Sequence, residues 1–167
     1  MYDLYASSRN DRWRFVLGKA GPRPLFTIGL NPSTATREKA NITVAKVERV
    51  AQRHGFDGFV LLNLYPVRAT DCRTLPLSPD DDAFQRNLAI IEAQLADWRA
   101  PSVWAAWGAN ITLRRFFPAA LCALQDRLRR QNVQWRRFGP PTAAGHPRHP
   151  SRLAYAWTFA PFDMVRY

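Results

Sequence analysis

The sequence predicts one α/β domain over residues 1–167, a three-layer α/β/α arrangement around a mainly parallel four-stranded central sheet with short N-terminal antiparallel strands. Three observations predict it. Continuous apolar runs too short for helices recur along the chain, as strands buried on both faces require. Segments with apolar residues three and four apart separate them, as crossover helices require. A chain of 167 residues with 47% apolar and 13% aromatic content has room for one hydrophobic core and lies far from disordered compositions.

The elements follow in order. Around Tyr2–Tyr5 and Trp13–Val16 two alternating stretches flank polar Ser7–Asp11 and read as an antiparallel edge pair. Leu25–Leu30 is the first buried strand and ends at the turn Asn31-Pro32-Ser33. A helix is expected from Asn41 to His54, with Ile42, Ala45, Val47, Val50 and Ala51 inward, His54 as its cap and Gly55 as its stop. Phe59–Leu64 is the second strand, followed by a long loop from Pro66 to Pro79. Asp80, Asp81 and Asp82 offer caps for a helix carrying Phe84, Leu88, Ile91, Leu95 and Trp98. Ser102–Gly108 is the third strand, on which Trp104 and Trp107 are expected to point the same way and fill core space. A helix with Leu121, Leu124 and Leu128 on one stripe precedes the fourth strand, Val133–Phe138.

Charge narrows the partner. The net charge of +11 is carried by 21 arginines against Lys19, Lys39 and Lys46. Between Asp126 and Asp163 there is no acid, whereas Arg127, Arg129, Arg130, Arg136, Arg137, Arg148 and Arg152 all fall there. A field of one sign attracts polyanions, so nucleic acid, DNA first, or a nucleotide is the expected partner; a solvated basic face is the alternative. Cys72 and Cys122, fifty residues apart, support neither a disulfide framework nor a metal centre. No apolar stretch of about 18 residues and no signal-like N-terminus occurs, so a cytoplasmic monomer without membrane contact and without a cofactor is expected.

In open α/β sheets ligands bind beyond the carboxyl ends of the strands. Those ends carry Asn31-Pro32-Ser33-Thr34, Asn63, Trp107-Gly108-Ala109-Asn110 and the loop Gly145-His146-Pro147-Arg148-His149-Pro150-Ser151-Arg152-Leu153. Four polar clusters therefore converge on one edge.

Gly29-Leu30-Asn31-Pro32 resembles the first motif of the uracil-DNA glycosylase superfamily, and His149-Pro150-Ser151-Arg152-Leu153 its second, H-P-S-x-L. Between them Gly58–Asn63 with trailing Val67-Arg68 is similar to the strand G-V-L-L-L-N followed by V-R, and Val103–Gly108 to the later L-L-W-G strand. The wording L-N-P-S-T-A at Leu30–Ala35, the Asn63–Asp71 segment and the late Arg148-His149-Pro150 also resemble a bacterial family of small proteins of unknown function.

The superfamily resemblance implies hydrolysis of a base–sugar bond or binding of a base without turnover. Under it, Asn31 orients the attacking water and His149 donates a hydrogen bond to the departing base. Asn63 reads the base edge, since an amide is both donor and acceptor. Ser33, Thr34, Ser151 and Arg152 take phosphates, Leu153 fills the vacated stack, and Arg68 and Trp107 complete the substrate contacts. Residue chemistry alone leaves plainer alternatives: Asn63 satisfying loop backbone, His149 merely exposed, Leu153 packed in a core. Ser33 stands where active branches carry tyrosine or glycine, and Thr34–Ala40 holds no aromatic residue to stack on a base.

Overall fold

A computed structural model describes residues 1–167. Strands β1 (Leu4–Ser7), β2 (Arg14–Lys19), β3 (Pro24–Gly29), β4 (Gly58–Asn63), β5 (Ser102–Ala105), β6 (Gln134–Phe138) and β7 (Phe159–Pro161) form one sheet in the order β1-β2-β4-β3-β5-β6-β7. Helices α1 (Ile42–Arg53), α2 (Asp81–Ala96) and α3 (Phe116–Leu128) cover it. The α/β class stands, but the sheet has seven strands, not four. Its parallel centre is β4-β3-β5-β6; β3 and β4 are continuous apolar runs, whereas β6 carries Gln134, Arg136 and Arg137.

The three additions are antiparallel. The N-terminal pair does not stand apart: β2 docks on β4 with Leu17 opposite Leu61, so the hairpin of β1 and β2 extends the sheet. At the other edge β7 pairs with β6, Phe159 opposite Phe138. A strand of three residues ending in proline is too short to show a period of two.

Alternation along the strands sends side chains to two cores. Leu25, Phe59 and Leu61 meet Val44, Val47, Val50 and Ala51 of α1. On the opposite face Phe26, Ile28, Val60 and Leu62 meet Leu88, Ile91 and Leu95 of α2 and Leu121, Leu124 and Leu128 of α3. Trp104 belongs to the α1 core and Trp107 to the other, so they point apart rather than the same way. Their spacing of three is odd, which reverses the side in extended chain.

Asn41 caps α1, its side chain accepting from Val44 N–H at 3.0 Å. The inward stripe is shifted from the expected one: Ile42 is 72% exposed and Ala45 is exposed, while Val44 is buried. His54 closes the helix and packs its ring on Phe138 and Phe159, and Gly55 leaves it at φ +76. Asp80 caps α2 through Ala83 N–H at 3.1 Å.

Candidate functional site

A cavity of about 640 Å³ opens beyond the carboxyl ends of β3, β4 and β5, closed by the loop after β6. Of the expected site residues, Asn31, Ser33, Asn63, Trp107, His149, Ser151 and Arg152 border it. Thr34 is exposed and does not border it, Arg68 does not border it, and Leu153 is half-buried against the α1 core.

Arg68 is occupied elsewhere. Its Nη1 donates to the carbonyls of Ser33 at 2.6 Å and Ala35 at 2.9 Å, and its Nη2 to Tyr5 Oη at 2.7 Å and Asp11 Oδ1 at 3.0 Å. It is a strut that fastens the loop after β3 to the N-terminal hairpin. Trp107 turns its indole into the core, Nε1 donating to Tyr167 Oη at 3.1 Å among the rings of Trp135, Phe162 and Tyr167. Tyr167 Oη also lies 2.6 Å from His146 Nδ1, which places His146 on the tether of the C-terminal segment.

Asn31 is fixed by its amide N–H groups, which donate to Pro32 O at 3.0 Å and Ala69 O at 2.9 Å. Both donors are used, so Oδ1 is the atom it has to offer, an acceptor beside the cavity. Asn63 is the complement. It sits directly across from Gly29 in the parallel register, is 3% exposed, and its Nδ2 has no acceptor. Its backbone carbonyl accepts from Asn87 Nδ2 at 2.8 Å, so the buried Asn87 on α2 holds the end of β4 in place. A Cβ on Gly29 would stand 2.8 Å from Asn63 Oδ1, which is why the residue before Leu30-Asn31-Pro32 carries no side chain.

His149 caps a short 3₁₀ turn over Pro150–Arg152. Its Nδ1 accepts from Ser151 N–H at 3.3 Å and lies 2.8 Å from Ser151 Oγ. A backbone N–H can only donate, so the ring proton resides on Nε2. Burial, then the charges of Arg152 and Lys46, push its pKa down to about 4. The ring is therefore a neutral hydrogen-bond donor at physiological pH. Lys46 of α1 reaches the same turn, donating to Ser151 O at 2.8 Å. Gly108 backs the imidazole at φ +74, where a Cβ would stand 2.9 Å from His149 Cβ.

Two results follow. Gly108→Ala combines left-handed strain of about 1 kcal/mol with that clash, so it should lower the urea midpoint and displace the His149 ring resonances. For His149, the folded pKa of about 4 lies below the unfolded value near 6.5, so the unfolded chain takes up the proton first as pH falls. The stability that His149 contributes is full above about pH 6.5 and is lost as the pH falls through 4. Imidazole proton NMR should show His149 without an inflection between about pH 5.5 and 8.

Sequence patterning missed three cavity neighbours. Cys72, buried, accepts from Asn110 Nδ2 at 3.3 Å, so it is part of the wall rather than incidental. Asn87 hid on the apolar face of α2. Arg14 borders the cavity although it is 2% exposed. The lining carries Arg14, Arg148, His149 and Arg152 and neither aspartate nor glutamate. No three His, Cys, Asp or Glu side chains gather to hold a metal ion, and no helix is long and apolar enough to cross a membrane.

A family model described as "Protein of unknown function (DUF1643)" matches residues 12–151, which include every cavity residue from Arg14 to Ser151. No curated protein and no solved structure matches the chain.

Proposed function

The chain belongs to the DUF1643 family of proteins of unknown function, and we propose that it binds a base-bearing anion, nucleic acid or a nucleotide, in this cavity and hydrolyses the N-glycosidic bond of a modified or mismatched base. The observation that carries the reading is the donor set: Asn63 Nδ2 without an acceptor and a neutral His149 with its proton on Nε2, in a cavity with cations and no acid. A base presents carbonyl and ring-nitrogen acceptors to such donors, and its phosphate answers the charge. The order of G-L-N-P, Asn63 and H-P-S-x-L adds the resemblance to uracil-DNA glycosylases.

In that reaction Asn31 Oδ1 accepts from a water and turns its lone pair toward the sugar. His149 donates to the base oxygen that gains charge as the bond breaks, and being neutral it need not lose a proton to do so. Ser151 fixes the tautomer, and Arg152 takes a flanking phosphate. With no carboxylate in the lining, nothing stabilises the cationic sugar or removes the water proton strongly. That observation favours a second reading, a binding module on the same scaffold without turnover.

Duplexes carrying uracil, hypoxanthine, xanthine or a mismatched thymine separate the two. Alkali-labile abasic sites that disappear in His149→Ala establish hydrolysis. Salt-dependent retention without abasic sites establishes the module. The affinity for duplex should fall by at least about tenfold between 50 and 200 mM salt if arginines meet phosphates. Neither retention nor cleavage removes the nucleic-acid reading and leaves the nucleotide alone.

A further inference from the structure

We infer that Arg14 is the receptor for an oxyanion, a phosphoryl or carboxylate group, that a small ligand carries to the buried wall of the cavity. Arg14 opens β2, is 2% exposed, and borders the cavity together with Leu61 and Asn63. A guanidinium has five N–H donors. Arg14 uses Nη1 toward Ala35 O at 3.3 Å, while its Nε is buried without an acceptor. No carboxylate pairs with it: Asp11 is bonded to Arg68 at 3.0 Å and to Tyr5 at 3.0 Å.

Arg68 shows what a structural arginine in this region looks like: its Nε is likewise buried without an acceptor, but its two Nη groups make four hydrogen bonds, to Ser33, Ala35, Tyr5 and Asp11, the last an ion pair. Arg14 makes a single hydrogen bond, to Ala35, and no ion pair. Burying a charge with most donors unused is costly unless something else supplies the acceptors. Burial and the repulsion of Arg68 bring its pKa down to about 10, which still leaves it charged at neutral pH. The unpartnered Asn63 Nδ2 borders the same cavity, as do the cap residue Asn41 and Thr43 in the first turn of α1, so the positive end of that helix faces the same space. The planar fork of Arg14 matches the two oxygens of a carboxylate or a phosphoryl group. A cavity of about 640 Å³ is of the size that holds a small molecule, and the phosphates along a duplex backbone would remain at its rim, with Arg148 and Arg152. The inference holds whether or not a base fills the rest of the space.

The test uses the full chain, Arg14→Met and Arg14→Lys, with melting temperatures and calorimetry against inorganic phosphate, acetate, uridine and uridine 5′-monophosphate at matched ionic strength. The wild type should gain melting temperature with phosphate or acetate, and bind the monophosphate at least about tenfold more tightly than uridine. Phosphate without acetate assigns a phosphoryl ligand, and acetate without phosphate a carboxylate. Arg14→Met should keep or raise the melting temperature without ligand, because it removes a buried unpaired charge, and should lose the response to anions. Arg14→Lys, which retains the charge but not the fork, should keep a weaker response and serves if the methionine variant does not fold. The inference is overturned if no anion stabilises the wild type, if the Arg14 variants respond to anions as the wild type does, or if Arg14→Met folds with a lowered melting temperature and an intact response. Uridine binding without an anion response would leave the base reading standing and remove this one; an anion response without nucleoside or duplex binding would do the reverse.

Discussion

Replacing Asn63 by leucine should raise the urea midpoint while weakening ligand binding by about ten- to a hundredfold. The two effects have opposite sign because the Asn63 side chain is almost wholly buried yet donates to nothing in the chain. A buried amide without partners costs about 1–3 kcal/mol, and buried polar groups that serve the fold are as a rule bonded. Leucine is close in size, and the contact of Asn87 is made to the backbone carbonyl of residue 63, so the end of β4 stays held. Urea unfolding and retention of a uracil-containing duplex measure the two effects separately. A lowered midpoint with unchanged retention would return Asn63 to loop architecture.

The central fold was legible because burial on both faces leaves a plain mark. Leu25–Leu30 and Phe59–Leu64 are continuous apolar runs, and β3 and β4 lie there within one residue at each end. The cap of α2 was equally open, since Asp80 acts through its own side chain on the residue three positions later. What failed depended on partners remote in sequence. Nothing in Trp13–Val16 says that β2 will lie on β4, and nothing in Phe-Ala-Pro says that it will pair with β6. The phase of α1 went astray because Ile42 and Val44 are both apolar within one turn, and only the position of the sheet chooses between them.

The convergence of the candidate residues was legible where topology alone decides. Asn31, Asn63 and His149 follow strands of one parallel set, so they meet at one edge whatever their detailed contacts. Roles that depend on a specific partner were not legible. Arg68 follows Asn63 closely and reads as a ligand contact, but Tyr5 and Asp11 claim it from the other end of the hairpin. Arg14 alternates with Trp13 and Phe15, which reads as an outward polar residue on an edge strand. It is instead buried where β2 passes behind the cavity.

Trp104→Ala should cost about 3–5 kcal/mol, a large share of the roughly 5–15 kcal/mol that holds a domain of this kind, and lower the melting temperature by about 10 °C. The indole is fully buried between Phe138 and Phe159, at ring distances of 5.4 and 5.6 Å, on the side of α1. Its deletion removes the ring contacts that join β5 to β6 and β7 on this face, and helix and sheet cannot close the gap together. The two tryptophans part in their phenylalanine variants. Trp104 Nε1 is buried without an acceptor, so Trp104→Phe gives up no hydrogen bond and should cost little. Trp107 Nε1 donates to Tyr167, so Trp107→Phe loses about 1 kcal/mol and frees the tyrosine that also meets His146. Calorimetric melting of the three variants tests the opposed placement of the pair. If Trp104→Phe proves as costly as Trp107→Phe, the indole N–H of Trp104 has an acceptor and the α1 core is packed differently at its centre.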